Sequence, residues 1–153
     1  MGDGAGFCRV GGALYGQRHH DVLKPVLSLK AQVRHVHRLE AGMTVGYDRS
    51  WIAPRDSVVA TLSIGFADGY PRSLSNQGVV YIRGHQFVVA GKVCMDMVMV
   101  DLGAKGGPGE SVRVGDYATL WGDGGNTLAA TADSLGTAQS DLTCDLSRRV
   151  ARR

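Results

Sequence analysis

From Val26 onward the chain alternates, with Leu27, Leu29, Ala31 and Val33 on one side of an extended backbone and Ser28, Lys30, Gln32 and Arg34 on the other. Successive side chains of a strand point to opposite faces, so this period of two predicts a half-buried β-strand. Comparable stretches recur at 58–65 (VVATLSIG), 79–84 (VVYIRG), 86–93 (QFVVAGKV), 97–102 (MVMVDL) and 117–122 (YATLWG). Turn-forming residues separate them, at 76–78, at Gly84 and across 103–109. Short strands with glycine turns and almost no helical period predict a mainly β fold. Closure into a small barrel, complete or nearly so, would leave no unpaired edge.

The two ends read differently. NTLAATADSLG at 126–136 begins with Asn126 or Thr127 as N-cap and ends with Gly136 as C-cap, which predicts a short helix, and a further helical turn or two is expected in TAQSDLTCDL. The first 25 residues are rich in glycine (RVGGALYG at 9–16) and read as a strand end, a tight turn and a connector. GAKGGPGES at 103–111 reads as a mobile loop within one domain.

Composition narrows the class. With 153 residues, 44% apolar and 20% charged, the chain suits one globular domain with a real core. No apolar run approaches the roughly 18–20 residues of a membrane helix, and the opening MGDGAGFCRV lacks the pattern of a secretory signal, so a cytoplasmic protein is expected. Cys8, Cys94 and Cys144 are too scattered for a disulfide framework or a zinc site, and no metal site is expected. The net charge of +3 gathers in Arg148, Arg149, Arg152 and Arg153 without a nucleic-acid-binding motif, so no nucleic-acid partner is expected.

Candidate chemistry is confined to a few stretches. IGFADGYPRSLSNQG at 64–78 strings glycine, aspartate, proline and arginine directly after an apolar strand and must be a structured loop, in which Asp68 and Arg72 read on spacing alone as a turn carboxylate and a solvated cation. The methionines of VCMDMVMVDL alternate as strand residues do. His35 and His37 share one strand face. Gly11 and Gly12 allow backbone N–H groups to approach an anion closely.

Taken in order, RVGGALYG, LSLKAQV, GMTVGYDRSW, LSIGFADGYPRSLSN, GKVCMDMVMVDL and DLSRRVARR resemble the C-terminal part of alanine racemase, from about residue 7 to the end. The resemblance implies residues 1–25 as a remnant of a (β/α)8 barrel that binds pyridoxal phosphate, and residues 26–153 as the β-domain. It implies interconversion of L- and D-alanine in a head-to-tail homodimer or with a complementing barrel chain. Tyr47 resembles the catalytic tyrosine; Arg9 resembles the arginine at the cofactor's pyridine nitrogen, and Gly11 and Gly12 its phosphate turn. Met95, through its N–H, and Asp96 fall where the family lines the substrate entrance and holds the substrate carboxylate. Removing a proton from one face of Cα and returning it to the other needs two bases, and a phenol of ordinary pKa about 10 needs cationic neighbours to act as one near neutral pH.

The sequence also departs from the family. None of Lys24, Lys30, Lys92 or Lys105 stands in its V-K-A-x-A-Y-G cofactor stretch, so the chain by itself is expected to be inactive. Phe66 and Ser140 replace tyrosines near the active site; Ser140 keeps the position that touches the cofactor phosphate, with a side chain too short to span the gap without a water. Ala151 replaces a proline. The competing expectation is a non-catalytic β-barrel remnant or partner-binding module.

Overall fold

The computed structural model describes residues 6, 11–17 and 22–152. In chain order, the described residues form β1 (Leu29–Leu39), β2 (Thr44–Val45), β3 (Trp51–Ile52), β4 (Ser57–Leu62), β5 (Val79–Ile82), β6 (His85–Val89), β7 (Val98–Gly103), β8 (Tyr117–Trp121), α1 (Leu128–Leu135) and α2 (Gln139–Cys144). Six strands close an antiparallel barrel in the order β1-β4-β7-β6-β5-β8, with β8 returning to β1. The mainly β expectation holds, and closure leaves the barrel without a free edge.

The alternation in the sequence explains the barrel interior. Ala31 and Val33 of β1 are buried with Ala60 and Leu62 of β4, Val80 and Ile82 of β5, Val98 and Val100 of β7 and Leu120 of β8. β1 starts at Leu29 rather than Val26 and runs on to Leu39, and its pairing with β4 shifts between Val33 and His35. One extra residue exchanges the two faces of a strand. Beyond the shift Val36 packs on the interior, while Leu39 joins Val59 and Met99 in a second cluster. Val45, Ala90 and Cys94 complete this second cluster and Trp51 packs against it, so the β2–β3 hairpin has an apolar seat on the barrel.

Both helices occur where the sequence places them. Thr127 Oγ1 accepts from the Ala130 N–H at 3.0 Å and Gly136 ends α1 in the left-handed conformation, φ 63°. Thr131, Ala132 and Leu142 are the buried residues of the pair. Between β5 and β6, Arg83 and Gly84 both have positive φ (52° and 79°), the backbone that a two-residue hairpin turn requires.

Three segments differ from the sequence reading. The strand expected over 86–93 ends at Val89, because Gly91 at φ 84° turns the chain away and residues 91–97 form an irregular loop. Residues 103–111 contain a 3-10 turn, Pro108–Ser111, with Gly109 buried so tightly that a Cβ there would lie 2.1 Å from the Leu102 carbonyl oxygen. Near the start, Gly11–Tyr15 is a 3-10 turn. Cys94 and Cys144 are free thiols; Cys8 lies outside the described residues. No helix among the described residues is long and apolar enough to cross a membrane.

Candidate active site

The hairpin that carries Tyr47 is closed by the pairing of Val45 with Trp51, leaving residues 46–50 as its loop. Such a short return demands unusual backbone: Gly46, Asp48 and Arg49 have φ of 75°, 59° and 49°. A Cβ on Gly46 would lie 3.0 Å from Met99 Cε, and one on Gly91 would lie 2.9 Å from the Val45 carbonyl oxygen, so hairpin and barrel meet backbone to backbone. Asn76, itself at φ 60°, joins the two. Its Nδ2 donates to the Ser50 carbonyl at 3.2 Å and its Oδ1 accepts from the Gly91 N–H at 2.7 Å. Lys92 forms an ion pair with Asp48, holding that carboxyl below the usual carboxylate range. On this mount the residue Tyr47 is 66% exposed, an anchored backbone presenting an open aromatic side chain.

Residues 94–97 make a turn in which the Cys94 N–H donates to the Met97 carbonyl at 3.0 Å. The loop at 65–68 lies against it so closely that a Cβ on Gly65 would sit 2.2 Å from the Met95 carbonyl oxygen. Phe66 N–H donates to the Cys94 carbonyl and Ala67 N–H to the Met95 carbonyl, each at 3.0 Å. There are no cis peptides among the described residues, so the amide N–H following each carbonyl points away from that loop. The N–H groups of Met95 and Asp96 are thereby turned outward, and neither donates to a protein acceptor among the described residues. Outward amide N–H groups are what an anion such as a carboxylate requires.

The Asp96 side chain is engaged elsewhere. Its Oδ1 accepts from Arg149 Nη2 at 2.5 Å, and Arg149 Nε lies 3.3 Å from Asp68 Oδ1. The Asp96 carboxylate therefore answers a protein cation, and any hold on an anion at this turn falls to the backbone. Asp68 is a turn carboxylate, as its position suggested, with Oδ2 accepting from the Gly65 N–H at 2.9 Å, yet it is buried. Arg72 lies over the Phe66 ring, 5.7 Å from its centroid. Phe66 takes part through its ring and its backbone, having no hydroxyl to offer.

A separate set comprises Gly11, Gly12 and Ser140. Gly11 has φ 56°, and a Cβ on Gly12 would lie 2.8 Å from Gln17 Oε1. Gln17 Nε2 donates to Thr143 Oγ1 at 3.2 Å, and that hydroxyl donates to the Ser140 carbonyl at 2.9 Å, so the glycine turn is tied to α2 beside Ser140. The N–H groups of Gly11 and Gly12 meet no protein acceptor among the described residues. Arg9 lies outside the described residues. No hydrogen bond or ion pair joins this set to the Tyr47 hairpin among the described residues.

Sequence reasoning missed Asn76, Lys92 and Arg149. Asn76 left a trace, since asparagine adopts positive φ more readily than other side chains. Arg149 left none, because its partners lie 53 and 81 positions away in sequence. His35 and His37 do share a face, their rings stacked at 5.0 Å, and no group of three or more metal-ligating side chains occurs among the described residues.

A closed antiparallel barrel that seats a tyrosine hairpin and an amide-presenting turn on one loop defines the class of domain. The profile described as "Alanine racemase, C-terminal domain" matches residues 26–153, and the chain belongs to that family. It is 37% identical to an alanine racemase of Deinococcus radiodurans over 156 aligned positions, covering 99% of this chain and 43% of the relative. With an alanine racemase of Cutibacterium acnes it shares 43% identity, covering 85% of this chain and 34% of that one. Among solved structures, biosynthetic alanine racemase from Pseudomonas aeruginosa superposes with a TM-score of 0.82 at 38% identity, covering 94% of this chain and 40% of that one. Alanine racemase from Bartonella henselae with covalently bound pyridoxal phosphate gives 0.83 at 35% identity, with the same coverage. The chain thus spans between about a third and about two fifths of the length of these relatives.

Proposed function

We propose that this chain forms the C-terminal part of a pyridoxal-phosphate-dependent alanine racemase and contributes Tyr47 as one of its two acid–base groups. The observation that carries the reading is the exposed tyrosine on an anchored hairpin: packing would have hidden the ring, whereas proton transfer needs it both fixed and exposed. The Met95 N–H supports it as a donor for the amino-acid carboxylate, placing Cα relative to the phenol. Asp96, held by Arg149, lines the entrance.

The cofactor fits the chain in part. Gly11 has nothing within 4 Å of where a Cβ would lie, the amides of Gly11 and Gly12 meet no acceptor among the described residues, and Ser140 stands on the helix tied to this turn. Arg9 would face the pyridine nitrogen. When bound, pyridoxal phosphate supplies the electron sink that acidifies the substrate's Cα–H. Lys92 is engaged with Asp48, and no lysine occupies the family's cofactor stretch, so in this reading the lysine comes from barrel sequence outside these 153 residues. Residues 1–153 are then inactive alone, and the working site is completed across a head-to-tail dimer or by a complementing barrel chain. At one face of Cα, the Tyr47 phenolic oxygen takes the proton as phenolate or returns it as phenol, while the other base serves the opposite face.

The test is Tyr47→Phe in the chain assembled with the barrel portion of a related racemase. Losing a general base lowers turnover roughly 10²- to 10⁴-fold. Solvent-deuterium exchange should suffer far more from one alanine enantiomer than from the other. Unchanged turnover in both directions would leave the chain a barrel module without a catalytic tyrosine.

A further inference from the structure

We propose that Arg149 is the positioning residue that fixes the Met95 amide for an anion; only the identity of that anion, an amino-acid carboxylate, rests on the racemase reading. Two loops must keep their relative placement for this amide to stay turned outward. Loop 65–68 fixes the carbonyls of Cys94 and Met95 through the Phe66 and Ala67 N–H groups. Arg149 spans the same junction from outside, with Nε on Asp68 of one loop and Nη2 on Asp96 of the other.

The pairing is built from both directions. Asp68 is only 12% exposed at its side chain, accepts from the Gly65 N–H, and receives the Ser147 N–H on its carbonyl at 3.1 Å. The segment carrying Arg149 is thus attached to loop 65–68 by main chain as well as by charge. Gly69 allows this approach, since a Cβ there would lie 2.3 Å from the Asp145 carbonyl oxygen.

Charge gives Arg149 a second effect. Without the guanidinium, two carboxylates would stand uncompensated beside the outward amides, and their field would oppose an incoming anion. With it, Asp96 serves as a brace and one of the two negative charges is offset.

The experiment uses the full 153-residue chain labelled with ¹⁵N, comparing Arg149→Met and Arg149→Lys with the parent. In Arg149→Met, hydrogen exchange at the Phe66 and Ala67 amides should accelerate roughly tenfold and the Met95 amide resonance should move. The barrel amides of Ala60 and Val100 should keep their rates. Arg149→Lys, which restores the charge without the fork, should recover part of both effects. An unmoved Met95 resonance in Arg149→Met would overturn the inference. So would uniform acceleration across the barrel, which would make Arg149 a general stabiliser. Neither readout depends on racemisation, so failure of the racemase reading would show in the Tyr47 experiment and not here.

Discussion

Asn76 Nδ2 donates to the carbonyl of Ser50 at 3.2 Å, so the residue that closes the Tyr47 loop is held by a side chain 26 positions further on. The same asparagine accepts from the Gly91 N–H and donates its own N–H to the Gly91 carbonyl at 3.2 Å. One residue thus joins the hairpin to the loop beneath it.

Asn76→Ala should cost about 2–4 kcal/mol, combining lost hydrogen bonds with a non-glycine residue at positive φ. Asn76→Gly keeps the backbone and removes only the side chain, so its cost should be smaller. In both variants the amides of the hairpin loop, 46–50, should lose ordered signatures in ¹⁵N spectra while the barrel stays intact. Urea titration followed by fluorescence measures the stability difference, and equal costs for the two variants would contradict the role given to the backbone.

Two glycines of opposite kind test the packing of the amide-presenting turn. Gly65→Ala drives a methyl to within 2.2 Å of the Met95 carbonyl oxygen and should cost roughly 2–3 kcal/mol or more. Gly84→Ala, at φ 79° with nothing within 4 Å, faces only conformational strain and should cost about 1–2 kcal/mol. Thermal unfolding of both variants gives the comparison.

His37 gives the fold a pH dependence. Burial, and then the neighbouring His35, push its pKa below the usual 6.5, and its buried Nδ1 has no protein partner. The unfolded chain therefore binds the proton more readily than the folded one, and stability is lost as pH falls from about 6.5 toward the lowered folded value, levelling off beneath it. His37→Gln should flatten this part of the profile of melting temperature against pH. An unchanged slope in His37→Gln as the pH falls below 6.5 would show that the loss comes from other groups.

The barrel was legible because its information is local. Period-two alternation marked the interior of β1, and Thr127 and Gly136 marked both ends of α1. The bulge after Val33 was not legible, since one inserted residue leaves composition untouched while exchanging faces. The β2–β3 hairpin escaped for a related reason: its strands are two residues each, too short to show a period, and it is held by its apolar seat. At the candidate site, Tyr47 and Met95 were recognisable from their motifs. The contacts that set their geometry, from Asn76 to Ser50 and from Arg149 to Asp68 and Asp96, join distant positions and appear only once the chain is folded.

The loop at 91–97 meets both parts of the site through main chain. Gly91 meets the hairpin at one end, and the carbonyls of Cys94 and Met95 meet loop 65–68 at the other. Its length is therefore a ruler shared by both parts of the site: an inserted or deleted residue would displace the phenol relative to the amides, whatever its side chain. The exposed side chains of Met95 and Met97 are under no such constraint. Over evolutionary time, this stretch should tolerate substitution at its methionines far better than any change in its residue count.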